Sequence, residues 1–186
     1  MLEYEIPAYL ADSKYIEPNG TKFMDIQLNE TVFAMWIGTN DIGNNAFLTD
    51  SQVEGKTIPD YIECVYKALD SVYDNGGRYF VIMNMAPLQL TPQYATPENG
   101  GLESTGGWPN KGPNITEISY QMWEYVVMIN DVYRYKTPYE VWSGRYPGAQ
   151  FAVMDMYGLV CSASPSFSFM FPFYPSLCIV SCFIVR

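Results

Sequence analysis

The sequence of 186 residues contains no histidine. Histidine is the most common general base in enzymes and the most common metal ligand. Its absence excludes hydrolysis by a serine–histidine pair supplied by this chain alone. Positive charge is also scarce, because ten Lys and Arg residues stand against twenty Asp and Glu, a net charge of −10. This balance disfavours nucleic acids and anionic membrane surfaces as partners.

Cysteine is rare as well, and three of the four cysteines lie in the last 26 residues. No C-x-x-C pair occurs, and Cys178 and Cys182 have no partner motif, so we expect no metal site. Residues 1–6 lack the basic start and apolar core of a signal peptide. Glycosylation sequons nevertheless begin at Asn19, Asn29 and Asn114. We therefore expect a secreted glycoprotein whose true start lies upstream.

Apolar runs and helical periodicities alternate along most of the chain. The apolar run at 32–37 does not alternate with polar residues, which predicts a strand buried on both faces, and apolar positions spaced by three and four predict helices. The predicted elements are a short helix at 7–13, a strand at 32–37, a helix at 58–74, a strand at 78–84, a helix from 115 onward and a strand at 151–155. This alternation predicts an α/β fold, a three-layer parallel sheet with flanking helices.

Local signals also mark where the two long helices begin. Thr57 can cap the helix at 58–74. Asn114 and Glu117 form a capping box for the helix that starts at 115. Since Asn114 cannot readily both cap a helix and carry a glycan, we favour the cap over the sequon.

The two ends of the chain fit this fold poorly. The sheet begins at a strand that is normally interior, and after Leu159 no charged residue occurs until Arg186. We therefore predict a domain at 1–159 and an aberrant tail at 160–186 outside the fold. A translation artefact, such as a retained intron or shifted frame, is the favoured interpretation. A membrane anchor needs roughly 20 apolar residues, and the stretch 167–185 is barely long enough and carries two prolines.

The segment 85–113 is long and rich in Pro, Gly and polar residues. Loops of this length are usually functional or disordered. Tyr94 and Trp108 could form a wall that stacks on sugars. Alternatively, the two aromatic residues pin the loop to the body of the domain.

The first long strand ends in the stretch "WIGTND", residues 36–41. This stretch resembles the Gly-x-Asn-Asp block of the SGNH, or GDSL-type, esterases and lipases. Together with "IPDYIECVYKALDSVYDNGGRYFVIMNMAPLQLTPQY" and "YPGAQFAVMDMYGL", it makes residues 1–159 similar to fungal carbohydrate esterases of family sixteen, which are acetylesterases. The resemblance implies a flavodoxin-like fold, an ester substrate, no cofactor, and Asn40 as a donor in the oxyanion hole. Gly38 then allows the sharp turn, and Asp41 holds the loop.

The other conserved blocks of that family are missing from this sequence. The family places its nucleophile in Gly-Asp-Ser and its base in Asp-x-x-His. Ala11-Asp12-Ser13 is only superficially similar to the first, because it follows no apolar strand, and Asp155 has no histidine three residues later. We therefore expect a fold incomplete at both ends and an inactive chain. Two alternatives remain open, a non-catalytic glycan-binding protein and a membrane-attached structural protein; the oligomeric state is undetermined.

Overall fold

The computed structural model describes residues 1–28, 30–163 and 181–185. In chain order the elements are α1 (Glu5–Asp12), β1 (Val32–Trp36), α2 (Ile58–Asp74), β2 (Tyr79–Met83), α3 (Ile115–Trp142), β3 (Gln150–Met154), α4 (Met156–Ala163) and β4 (Ser181–Val185). Each predicted helix and strand is confirmed, with small shifts at the ends. The strand β4 was not predicted.

The sheet has the order β3-β2-β1-β4, in which β1, β2 and β3 are parallel and β4 is antiparallel to β1. The parallel strands are joined by the crossover helices α2 and α3, as parallel pairing requires. Three parallel strands flanked by four helices confirm the predicted α/β class and are consistent with three layers. Because β1 to β3 are parallel, their carboxyl ends share one side of the sheet, which we call the carboxyl edge.

The register of the strands aligns aromatic side chains across the core. Phe33 lies beside Phe80, and Phe80 lies beside Phe151. The rings of Phe80 and Phe151 stack with centroids 4.6 Å apart. Fully burying a side chain such as Phe33 or Phe80 contributes roughly 1.5–3 kcal/mol, whereas Phe151 is only partly buried. The helix residues that pack in the same core include Ile62, Val65, Leu69 and Val72 of α2 and Met122, Val126, Ile129 and Tyr133 of α3.

Both long helices begin at the carboxyl edge with the predicted caps. Thr57 is the N-cap of α2, and Asp60 Oδ2 accepts from the Thr57 amide at 2.9 Å. At the start of α3, Asn114 Oδ1 accepts from the Glu117 amide at 3.2 Å. Caps of this kind typically contribute about 1 kcal/mol. They fix the points at which the loops of the carboxyl edge end.

The part of the chain after residue 159 is described only in places. The helix α4 continues through this point to Ala163, and β4 pairs with β1. Residues 164–180 and Arg186 lie outside the described residues. The division into a domain at 1–159 and a tail at 160–186 therefore stays a prediction, as do both interpretations of the tail. Within the described ranges, no helix is long and apolar enough to cross a membrane.

Candidate active site

A tight turn follows β1 at the carboxyl edge. Gly38 has a φ of +120°, which L side chains rarely adopt. Its carbonyl accepts from the Ile42 amide at 3.1 Å. A Cβ atom on Gly38 would collide with Tyr61 Oη and lie 2.9 Å from Met85 Sδ. The position therefore excludes any side chain, for both conformational and steric reasons.

The turn brings Asn40 to the surface at the carboxyl edge. The Asn40 side chain is exposed, whereas the glycine two residues earlier is buried. The Asn40 carbonyl accepts from the Gly43 amide at 3.3 Å, a hydrogen bond that closes a turn over residues 40–43. Asn40 is thus exposed at the carboxyl edge, where the sequence predicted an oxyanion donor. The catalytic role itself stays a prediction.

Asp41 is half-buried directly after this side chain. Burial raises the pKa of the Asp41 carboxyl above its ordinary value, and a backbone hydrogen bond to the carboxylate opposes the change. The Asp41 carbonyl accepts from the Phe47 amide at 3.2 Å. These bonds lie within the loop that Asp41 was predicted to hold, and the supporting role stays a prediction.

Two buried tyrosines fix the peptide in front of Gly38. Tyr61 Oη donates to the Ile37 carbonyl at 3.0 Å and lies 2.9 Å from Tyr133 Oη. Because the Tyr61 hydrogen is used toward Ile37, Tyr133 is the donor in the second bond. Burial raises the pKa of both phenols, so both stay protonated at neutral pH. Sequence reasoning missed this pair, since Tyr61 lies on the apolar stripe of α2 and resembles an ordinary core residue.

The second residue after the end of β2, Met85, is held by a side-chain amide. The Met85 amide donates to Asn130 Oδ1 at 2.7 Å, and Asn130 Nδ2 donates to the Met85 carbonyl at 3.0 Å. Both polar groups of a buried residue are thereby satisfied. Since the Met85 sulfur also packs on the turn at Gly38, the ends of β1 and β2 support each other.

The ends of β2 and β3 are joined by a second polar contact. Asp155 Oδ1 accepts from Asn84 Nδ2 at 3.0 Å and from the Gly158 amide at 2.9 Å. These hydrogen bonds hold the pKa of Asp155 below its usual range. Asn84 Oδ1 in turn accepts from the Tyr157 amide at 3.1 Å. The Asp155 carboxylate therefore stabilises the first turn of α4.

The aromatic pair of the long loop packs against the turn region. Tyr94 is 5% exposed, and its ring centroid lies 6.2 Å from that of the half-buried Trp108. Asn44 links the loops, because its Oδ1 accepts from Gln93 Nε2 and its Nδ2 donates to the Gly107 carbonyl, both at 2.9 Å. This geometry favours the pinning interpretation for Tyr94. A sugar-binding role for the pair stays a prediction.

Ser13 lies at the opposite side of the sheet. Its Oγ donates to the Leu10 carbonyl at 3.0 Å and accepts from Asn75 Nδ2 at 3.1 Å. Asn75 is the C-cap of α2, a helix of 17 residues that begins at the carboxyl edge, so roughly 25 Å of helix separates the two sides. The structure thus does not bring Ser13 and Asn40 together.

Comparisons with known proteins extend these observations. No family model matches the chain. It is 38% identical over 159 residues to an acetylesterase of Hypocrea jecorina, a match that covers 84% of this chain and 44% of that protein. It is 32% identical over 79 residues to an acetylesterase of Thermothelomyces thermophilus, covering 41% of this chain and 25% of that protein.

A GDSL esterase/lipase of Zea mays is 37% identical over 65 residues, which cover 34% of this chain and 16% of that protein. The chain thus spans less than half the length of the curated relatives that it matches. The similarity to the Hypocrea protein nevertheless extends over most of this chain. On these matches, together with the parallel sheet and its Gly-x-Asn-Asp turn, the chain is related to the SGNH/GDSL-type acetylesterases.

Proposed function

We propose that this chain supplies part of an ester hydrolase that removes acetyl groups from small or carbohydrate substrates outside the cell. In ester hydrolysis, attack by a nucleophile places negative charge on the carbonyl oxygen. Hydrogen-bond donors fixed in advance stabilise that charge, and one donor contributes about 3 kcal/mol. The exposed amide of Asn40 at the carboxyl edge is the observation that carries the proposal. Its Nδ2 is the proposed donor to the oxyanion.

The surroundings of the turn suit such a donor because they restrict its motion. The Ile37 carbonyl is bound to Tyr61, and no side chain fits at Gly38. Met85, which packs against the turn, is itself held by two hydrogen bonds with Asn130: its amide donates to Oδ1, and its carbonyl accepts from Nδ2. A catalytic group works best when such neighbours fix it within about 0.5 Å of the productive geometry.

The sequence has no histidine to act as the base of the proposed reaction, and the candidate nucleophile, Ser13, lies far from Asn40. Ser13 is bonded to Asn75 at the other side of the sheet. Removing either member of a serine–histidine pair removes most of the rate of such an enzyme. We therefore propose that this chain alone does not hydrolyse esters.

A chimera tests the role of Asn40 in a complete enzyme. In the Hypocrea acetylesterase, the 159-residue segment that aligns with this chain is replaced by the matching residues of this chain. We expect the chimera to release acetate from an aryl acetate. In the chimera, Asn40→Ala should lower kcat by roughly 100- to 1000-fold with little change in KM, because the donor acts only in the transition state.

The matched control is Asn45→Ala, because Asn45 is an exposed asparagine of the same loop. Its kcat should equal that of the parent chimera. A folded, active chimera that keeps its kcat after Asn40→Ala would overturn the proposed role. The chain by itself is assayed in parallel. Hydrolysis by this chain that is abolished by its own Asn40→Ala substitution would contradict the proposal that it is inactive alone.

A second candidate function is glycan binding without catalysis. It is favoured by Trp108, which is only half-buried and follows Gly107, whose carbonyl accepts from Asn44 in the loop that also carries Asn40. Titration with an acetylated oligosaccharide, read by calorimetry, should show millimolar binding that Trp108→Ala removes. No heat of binding at millimolar ligand would exclude this candidate.

A further inference from the structure

The three Asn-x-Thr sequons have no role in the proposed function, and the two whose asparagines the structure describes, Asn19 and Asn114, differ in their surroundings. We propose that Asn19 is an N-glycosylation site of this chain when it passes through a secretory pathway, and that Asn114 is not glycosylated. The inference is independent of any esterase activity. It rests on the exposure and the hydrogen bonds of the two asparagines.

Asn19 lies at the tip of an exposed turn. The turn is closed by a bond from the Glu17 amide to the Thr21 carbonyl at 2.8 Å. Asn19, Gly20 and Thr21 are all exposed, and a Cβ atom added to Gly20 would have no atom within 4 Å. A bulky, hydrated glycan on this turn would therefore displace no part of the described protein.

The two side chains that define the sequon are adjacent in this turn. Asn19 Oδ1 accepts from the Thr21 amide at 2.9 Å and from Thr21 Oγ1 at 2.7 Å. Both bonds are accepted by the oxygen of the Asn19 amide, so they do not require its nitrogen. A transferase that reads both the amide and the hydroxyl thus meets them together on one open surface.

Transfer of the glycan forms a new bond at only one atom of the protein, Asn19 Nδ2. Asn19 Nδ2 forms a bond to the anomeric carbon of a lipid-linked oligosaccharide diphosphate, and the bond from that carbon to the diphosphate oxygen breaks. The amide loses one proton, and the lipid diphosphate leaves with the bonding electron pair. The product keeps Asn19 Oδ1 as an acceptor, so both bonds from Thr21 persist.

Asn114 uses both ends of its amide to start α3. Its Oδ1 accepts from the Glu117 amide at 3.2 Å, and its Nδ2 donates to Glu117 Oε2 at 2.6 Å. A glycan on Nδ2 would crowd the Glu117 carboxylate and weaken the cap. Asn29 lies outside the described residues, and the Thr31 of its sequon is buried, with Oγ1 bonded to the Gln27 carbonyl at 2.8 Å.

The test expresses the full chain in yeast behind a cleavable secretion leader. All test proteins carry Asn29→Gln, so that the third sequon does not contribute. The variants are Asn19→Asp and Asn114→Asp, because aspartate keeps the acceptor oxygen of the turn and of the cap but lacks the nucleophilic nitrogen. The readouts are mobility before and after enzymatic release of N-glycans and mass spectrometry of the peptides.

We expect the parent and Asn114→Asp to lose mass on glycan release, whereas Asn19→Asp should show no shift. At the threonine of the sequon, Thr21→Ser should keep the glycan and Thr21→Val should lose it. A chain whose leader is cleaved but whose residue 19 is unmodified would overturn the inference. A glycan on Asn114 would overturn its second half. Neither result bears on hydrolysis, so this inference and the proposed function fail separately.

Discussion

The two loops that leave the sheet at the carboxyl edge after β1 and β2 are held in different ways. The turn after β1 is fixed mainly by shape, since Gly38 has no room for a side chain beside Tyr61 and Met85. The long loop after β2 is fixed by side-chain amides, among them Asn130. The loop that carries the proposed oxyanion donor is the one with the steric constraint at Gly38.

The largest effect should come from placing a methyl group in the turn. Gly38→Ala combines an unfavourable φ with a collision at the Tyr61 hydroxyl. We expect a loss of about 3 kcal/mol in the free energy of unfolding, measured by urea titration.

The control is Gly55→Ala, because Gly55 also has a positive φ, +75°, but has open space around it. Its loss should be only about 1–2 kcal/mol, since backbone strain acts alone there. Equal losses for the two variants would show that the packing at Gly38 does not constrain the turn.

The amide contact of the second loop should have the next largest effect. Asn130→Ala leaves the amide and the carbonyl of the buried Met85 without their partner. We expect a loss of about 2 kcal/mol in the free energy of unfolding. Asn45→Ala, an exposed control, should change it by less than about 0.5 kcal/mol. If the two variants were indistinguishable, water would be replacing the Asn130 contact at no cost.

Removing the two tyrosine hydroxyls one at a time compares Tyr61, which contacts the Ile37 carbonyl, with Tyr133, which contacts only Tyr61. Tyr61→Phe removes the bond to the Ile37 carbonyl, and we expect a loss of about 1–2 kcal/mol by urea titration. Tyr133→Phe should cost less, because Tyr61 still donates to Ile37. A larger loss for Tyr133→Phe would contradict the assigned direction of the two bonds.

The smallest effect concerns pH and Asp41. The folded state raises the pKa of Asp41, so it favours the protonated form. The stability from this group is fully present below the ordinary pKa and is lost as pH rises through the raised pKa. Asp41→Asn lacks that loss. Its unfolding free energy relative to the unmodified chain should therefore increase between about pH 3 and pH 7 in urea titrations.

Asp155 provides the opposite sign in the same experiment. Its pKa is lowered by the hydrogen bond from the Gly158 amide and, to a smaller extent, by the one from Asn84. Its contribution is present above the ordinary pKa and is lost as pH falls through the lowered value. Asp155→Asn should therefore become less stable, relative to the unmodified chain, as pH rises. Parallel pH profiles for the two variants would contradict the environments described for them.

The sequence predicted the parts of the fold that depend on neighbouring residues. Strands, helices and the caps at Thr57 and Asn114 follow from spacing within a few positions, and the turn at Gly38 follows from the abrupt end of a strand. The contact of Tyr61 with Tyr133 spans 72 positions, and no local pattern indicates it. The pairing of β4 with β1 was missed because the tail shows neither helical nor strand periodicity.

The Asn130 side chain makes the hydrogen bonds that a residue of a neighbouring strand would make. Its amide offers Met85 one acceptor and one donor, which is what a residue of an adjacent strand would offer. The hydrogen bonding of β2 is thus extended by a side chain of the helix α3. The contact lies at the start of the long loop. Insertions farther along that loop should therefore leave the end of β2 in place, so the loop surface can vary in sequence without a change in the sheet.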